Sequence, residues 1–267
     1  MAMRFGSRAV RLKLTPKKFF LLLLATFSLT VTLAYYSTEK ARNQPGIGAI
    51  HGVRIRIPAE YKFFPVEYEG DEIWARPPRR HAPGPDVPIS SFSLLLHLPD
   101  FGPLTSANRA SWAGLNGRDA RRNEWIVTGG EPIEGVERDS SRWFSGFIGR
   151  RMDGQIDWRR KQGWHFERQP ELVNGLVYEK KIGPDYSKIS TDNVDIFYDV
   201  DRSTTYIVCG AGTIAPGGAN TCKQWFLIGK LGLLASASYT RANLDKWMEI
   251  QRNVIGLVES FSLGNNH

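Results

Sequence analysis

The sequence predicts an α+β protein: a single N-terminal transmembrane helix, then an antiparallel β-rich ectodomain with a long C-terminal amphipathic helix. Three observations predict it. Phe19–Tyr36 is an apolar run without a charge. Short stretches such as Val53–Ile57 and Asp192–Asp201 alternate apolar and polar residues, the period of a half-buried strand. From Ala242 to Phe261, apolar residues recur at three- and four-residue spacing, the period of a helix with one buried face.

The elements follow in order. Residues 1–18 form a basic stub with Arg4, Arg8, Arg11, Lys13, Lys17 and Lys18, and the first acidic residue is Glu39. A span needs about 17 to 25 apolar residues, so 19–36 is long enough. The one-sided cations place the stub in the cytoplasm and the remainder outside. Thr32-Leu33-Ala34 resembles a signal-peptidase site, so a cleaved signal peptide stays open as the alternative. Residues 37–50 are polar or contain Gly and Pro and read as a linker. The ectodomain then runs over 51–264, as one domain or as two lobes divided near 163–170.

Within it, Val53, Ile55 and Ile57 mark a first strand, Tyr61–Tyr68 an aromatic segment packed on it, and Glu72–Ala75 a short strand. Arg76–Pro88 holds five prolines in thirteen residues and reads as a long surface loop. Ile89–Leu98 is a strand, Ser106–Leu115 a short helix, and Glu124–Thr128 a strand ended by Gly129-Gly130. Arg142–Met152 and Gln155–Arg160 read as a hairpin, because Asp153-Gly154 suits a two-residue turn. Leu172–Ile182, Asp192–Asp201, Thr205–Cys209, Cys222–Ile228 and Leu231–Tyr239 are further strands. The final helix carries Leu244, Trp247, Met248, Val254, Ile255, Val258 and Phe261 on its apolar side, with Asn243 as a cap.

Net charge is +8, from 35 Lys and Arg against 27 Asp and Glu. The stub accounts for most of the excess and leaves +2 outside it, which removes the main support for nucleic-acid binding. The two cysteines, Cys209 and Cys222, flank the glycine-rich loop 210–220 and would pair in an oxidising compartment.

No catalytic pattern emerges. His51, His81, His97, His165 and His267 form no zinc motif, and Phe144-Ser145-Gly146-Phe147 is no nucleophile elbow. Asp192, Asp195, Asp199 and Asp201 alternate along a strand as a solvated face, unlike a calcium loop. Loop 210–220 lacks the Lys-Ser/Thr of a phosphate loop. No cofactor and no metal site is expected. Two arginine groups are candidate contacts with a partner or membrane: Arg76, Arg79 and Arg80 in the proline-rich loop, and Arg150, Arg151, Arg159 and Arg160 near the tip of the expected hairpin. Most of the eight tryptophans fit core positions.

The stub, the anchor, Ile57–Asp71 (IPAEYKFFPVEYEGD), the late Cys–Cys hairpin and a terminal helix around Trp247, Ile250 and Ser260-Phe261 make a recognisable plan. It resembles the membrane-anchored periplasmic immunity proteins that accompany lipase effectors of bacterial type VI secretion. The resemblance implies a binding protein and not an enzyme, one that blocks an incoming lipase or phospholipase toxin. Two other functions fit the residues alone: a structural or assembly component of an envelope complex, and an envelope hydrolase with an unrecognised site.

Overall fold

A computed structural model of the chain describes residues 44–72, 80–113, 124–134, 140–160, 163, 165–183, 194–210 and 220–263, with backbone alone at 113 and 155–160. The uncharged run 19–36 lies outside them. Among the described residues no helix is long and apolar enough to cross a membrane.

Two strands, β1 (Gly46–Ile50) and β2 (Val53–Ile57), form a small antiparallel hairpin. The remaining strands are β3 (Glu67–Tyr68), β4 (Ile89–His97), β5 (Trp125–Pro132), β6 (His165–Arg168), β7 (Val177–Ile182), β8 (Val194–Tyr198), β9 (Tyr206–Gly210), β10 (Thr221–Ile228) and β11 (Leu233–Thr240). Among the described residues these nine join one sheet in the order β3-β4-β5-β11-β10-β9-β8-β7-β6, antiparallel throughout. Three helices accompany it: α1 (Arg109–Ala113), α2 (Ser140–Arg160) and α3 (Trp247–Ser260). The architecture is an antiparallel β-rich domain with a C-terminal helix.

One sheet face is closed by α3 and the β1–β2 hairpin. Ile50, Ile55 and Ile57 of the hairpin and Trp247, Ile250, Val254 and Val258 of α3 share one core with Leu94, Leu96, Ile126, Phe226, Ile228 and Tyr239 of the sheet. The hairpin is also tied by its backbone: Ala49 N–H donates to Val87 O, Arg56 N–H to Phe261 O and Leu263 N–H to Arg54 O. Burying apolar area of this kind stabilises a fold by roughly 25 cal/mol per Å².

A polar group sits inside this apolar interface. Gln224 on β10 is fully buried. Its amide nitrogen lies within bonding distance of Thr205 Oγ1 (3.0 Å), Gln251 Oε1 (2.9 Å) and Trp247 O (3.3 Å), and Tyr239 O–H donates to its Oε1 (3.0 Å). The side chain thereby links β10, β11 and Thr205, the residue before β9, to α3. Burial pushes the Tyr239 phenol far above its ordinary pKa, so it remains a donor at any working pH.

Several sequence expectations change. Arg142–Arg160 is not a hairpin but part of the single helix α2. Phe144, Phe147, Ile148 and Met152 fall on one helical face and bury against Val177, Ile196, Tyr198, Tyr206, Trp225 and Leu234, on the sheet face opposite α3. That long-range burial outweighs the turn preference of Asp153-Gly154. Residues 46–50, expected in the linker, form β1. Its Gly48 serves close approach: a Cβ there would lie 2.8 Å from Val87 O. Gly129-Gly130 does not end β5, which runs through both to Pro132. At Gly129 a Cβ would collide with the Phe92 carbonyl.

The C-terminal helix begins later than expected, after a 3-10 turn at Arg241–Lys246. Asn243 donates to Thr240 Oγ1, and the N-cap position of the helix is Lys246. Met248 is 53% exposed and Ile250 takes the buried position. Asp195 is not solvated. It is 4% exposed and pairs with Arg241, which also donates to Gly210 O. Both faces of β8 are covered: Ile196 and Tyr198 lie in the core under α2 and Phe197 in the core under α3. Residues 165–168, inside the stretch expected to divide two lobes, form the edge strand β6.

Cys209 and Cys222 are joined in a disulfide. They stand opposite one another in the β9–β10 register, with Cα atoms 4.0 Å apart, in the core under α3.

Two stability predictions follow from these contacts. Gln224→Ala leaves Tyr239 and Thr205 without a buried partner and should cost about 2–4 kcal/mol, read as a lower urea midpoint at unchanged slope. Replacing both Cys209 and Cys222 by Ser frees a loop closed over 13 residues and should cost about 3 kcal/mol. The same loss should appear when reductant is added to the wild type.

Candidate protein-docking groove

Among the described residues the sheet face opposite α3 is only partly covered. Side chains on one face repeat every second residue, so cross-strand partners line up in rows. The row Ser93, Gly129, Ser236, Trp225, Tyr206, Tyr198 and Val177 crosses seven strands. Its second half is aromatic and lies beneath α2. Its first half is Ser, Gly and Ser, with no bulky side chain. The next row repeats the change of size more gently: Val127, Ser238 and Lys223.

The outcome is a groove beside α2 with a cavity of about 340 Å³, floored by Ser93, Val127, Gly129, Ser236 and Ser238. Hydroxyls and bare backbone make this floor polar and flat. The alternation of β11 explains it: Ala235, Ala237 and Tyr239 point into the α3 core, while Ser236 and Ser238 are half-buried on the groove side.

One wall is charged and aromatic. On α2, Trp143, Phe147 and Arg151 stand one turn apart, with the two rings stacked at 5.7 Å. The Arg151 guanidinium lies 5.1 Å from the Phe147 ring centre and 4.8 Å from that of Trp225. Lys223, two residues before Trp225 on β10, brings its ammonium to 5.2 Å from the same indole. Trp225 is nearly buried and also packs on Tyr206 at 5.6 Å. Such cation–π contacts contribute about 0.5–1 kcal/mol at exposed sites and hold the cations in place. Glu131 lines the other end of the groove.

The structure separates the expected arginine contacts. Arg151 forms the groove wall and Arg150 is exposed beside it. Arg159 and Arg160 belong to the last turn of α2. Because α2 is one helix, these four are not gathered at a hairpin tip. Nine residues at 1.5 Å rise put Arg150 and Arg159 about 13 Å apart along the axis. Arg76 and Arg79 lie outside the described residues; Arg80 is exposed. The Cys209–Cys222 bridge is on the α3 side of the sheet, away from the groove. Lys223, Trp225 and the small floor were not singled out by sequence. The signal for the floor was the small-residue alternation in Leu234–Tyr239 (LASASY) and the Gly129-Gly130 pair.

No three His, Cys, Asp or Glu side chains gather as a metal site among the described residues. Asp199 closes the turn after β8, accepting from the N–H groups of Ser203, Thr204 and Thr205.

Among the described residues these features define an α+β domain with one sheet face closed by its C-terminal helix and the other left half open. No family model matches the chain, and no curated protein matches it. Its fold is similar to that of Smlt3025, an immunity protein of the Stenotrophomonas maltophilia type IV secretion system. That likeness has a TM-score of 0.51 at 16% identity, over 83% of this chain and 94% of that one. The iron-regulated outer membrane lipoprotein FrpD of Neisseria meningitidis aligns with a TM-score of 0.42 at 12% identity, over the same shares. The immunity protein in this comparison serves a type IV system, whereas the sequence resemblance pointed to type VI.

Beside the proline-rich loop, Asp71 supplies a pH-sensitive anchor. Its side chain is 4% exposed and accepts from the N–H groups of His81 (2.7 Å) and Tyr68 (3.1 Å), with the His81 ring nitrogen at 3.0 Å. Burial pushes its carboxyl up, but the bonds from His81 and Tyr68 outweigh this, so its pKa lies below the ordinary value. A depressed folded pKa contributes stability above the unfolded value of about 3.9, lost as pH falls through the folded value. Asp71→Asn should therefore lower the urea midpoint at pH 7, and its gap to wild type should narrow as the pH falls below about 4.

Proposed function

We propose that this chain is an immunity protein: a binding protein, not an enzyme, that captures a secreted protein toxin on the open half of its sheet and holds it inactive. The observation that carries this reading is the groove itself. A row of Ser, Gly and Ser leaves a hollow on a sheet face whose other half is filled by aromatic side chains under α2. A protein interface needs such a hollow to seat an anchoring side chain of its partner. The similarity in fold to an immunity protein of a secretion system supports the same reading.

In this proposal the run 19–36 anchors the domain at the inner membrane, with the basic stub in the cytoplasm and the domain in the periplasm. The toxin class follows from the sequence resemblance: a lipase or phospholipase, whose substrate is that same membrane. Holding the inhibitor where the toxin acts raises its effective concentration there.

The proposal expects a neighbouring gene to encode a secreted lipase-like toxin, and the test uses that gene's product. Deleting this protein should sensitise cells to that toxin, and the full-length chain should co-purify with it. Cells that stay fully resistant after deletion would refute the proposal. Ser236→Tyr fills the floor of the groove without touching the α3 core. It should weaken toxin binding at least 10-fold by titration calorimetry, while the thermal midpoint stays within about 2 °C of wild type, as for surface substitutions generally.

A further inference from the structure

The groove wall carries two cations on one indole. Arg151 descends from α2 and Lys223 rises from β10. Both lie within 5.2 Å of the Trp225 ring centre, so their charges are no more than about 10 Å apart. Among the described residues neither forms an ion pair. Paired cations are common elsewhere on the molecule: Arg54 meets Asp86, Lys230 meets Glu259 and Arg241 meets Asp195. Two like charges repel, and their contacts with the indole hold them near one another without neutralising either. The arrangement is complementary to one anion placed between them.

The opposite end has the opposite sign. Glu131 stands in the row of Leu234, and Lys223 in the row of Ser238. Four residues of strand separate those rows, which is about 13 Å. Glu131 forms no ion pair among the described residues either. The groove is therefore polarised along its length, with a flat floor of small residues between its poles.

We infer that the groove receives a short segment of the toxin that presents a carboxylate side chain to Arg151 and Lys223 and a basic side chain to Glu131. Resting on the function proposed above, this names the chemistry the partner brings to the same site. The carboxylate sits between the guanidinium and the ammonium, against the edge of Trp225. Desolvation by the arriving segment strengthens the pairing, since interactions between charges grow as water leaves. The polarity also gives the segment one direction along the sheet, because the reversed segment sets like charges against each other. A second copy of this chain is the competing occupant.

The test is titration calorimetry of the full-length chain in detergent with the adjacent toxin, for wild type, the double variant Arg151→Glu/Lys223→Glu, and Glu131→Lys. The double variant should bind at least 30-fold more weakly and Glu131→Lys at least 5-fold more weakly, with thermal midpoints unchanged. Arg151→Gln/Lys223→Gln serves as a milder version if charge reversal disturbs folding. Wild-type affinity should fall as salt rises from 50 to 500 mM, and that dependence should shrink in the double variant. An acid-to-Lys scan of the toxin should give a variant that restores binding to the double variant.

If wild type binds and both double variants bind within threefold of it, the inference fails and the binding function stands. If wild type does not bind, both fail. A wild-type dimer seen by light scattering and broken by the double variant assigns the groove to a second copy and overturns the inference.

Discussion

A sheet of nine strands has two faces to keep from water, and the described chain has two long helices to do it. That constraint shapes the rest of the molecule. The face under α3 is closed because the β1–β2 hairpin joins the helix, pinned by bonds to residues 87 and 261–263. Among the described residues the other face has α2 over one half and, at the far end, Trp112 of α1 against Trp125 of β5. α2 covers the aromatic half, from Val177 to Trp225, and stops. What it leaves is tolerable in water only because Ser93, Gly129, Ser236 and Ser238 occupy it. The groove is thus a consequence of how many helices the sheet has and how large its side chains are.

The closed face is specified by polar groups as well as apolar ones. Gln224 makes bonds that only the native helix position satisfies, through Gln251 and the Trp247 carbonyl. A displaced helix would leave these groups buried and unpaired, which costs more than the bonds contribute when made. Asp195 and Arg241 act similarly where β8, β9 and the 3-10 turn before α3 meet. The Cys209–Cys222 bridge closes the same region covalently. These polar and covalent ties lie on one side of the sheet, and the side facing the proposed partner is held by the core under α2 with cations resting on its aromatic rings.

Regular patterns were legible where burial is one-sided. β2 and β4 and the late strands announce themselves by alternation or apolar runs, and the spacing of Trp247, Val254 and Val258 announces the terminal helix. Errors fell where a local preference met a stronger distant contact. Asp153-Gly154 favours a turn, yet Phe144, Phe147, Ile148 and Met152 gain more by burying one helical face on the sheet. Gly46 and Gly48 read as linker and Gly129-Gly130 as a strand end, yet all four lie within strands, where Gly48 and Gly129 admit close neighbours. Asp195 reads as solvent-facing, because alternation reports faces and not whether both are covered.

By itself, the sequence determined the class of fold, the cysteines available to pair and an arginine, Arg151, worth watching. These depend on short-range periodicity and composition, which a linear chain displays directly. Tertiary structure alone decided that Arg151 meets Trp225 and Lys223 above a floor of small residues. Those groups come from α2, β4, β5, β10 and β11, up to about 150 positions apart in the chain. Their meeting depends on strand order, β4-β5-β11-β10, which no local pattern encodes. The groove exists because distant strands become neighbours, and its charge because a helix ends its coverage beside them.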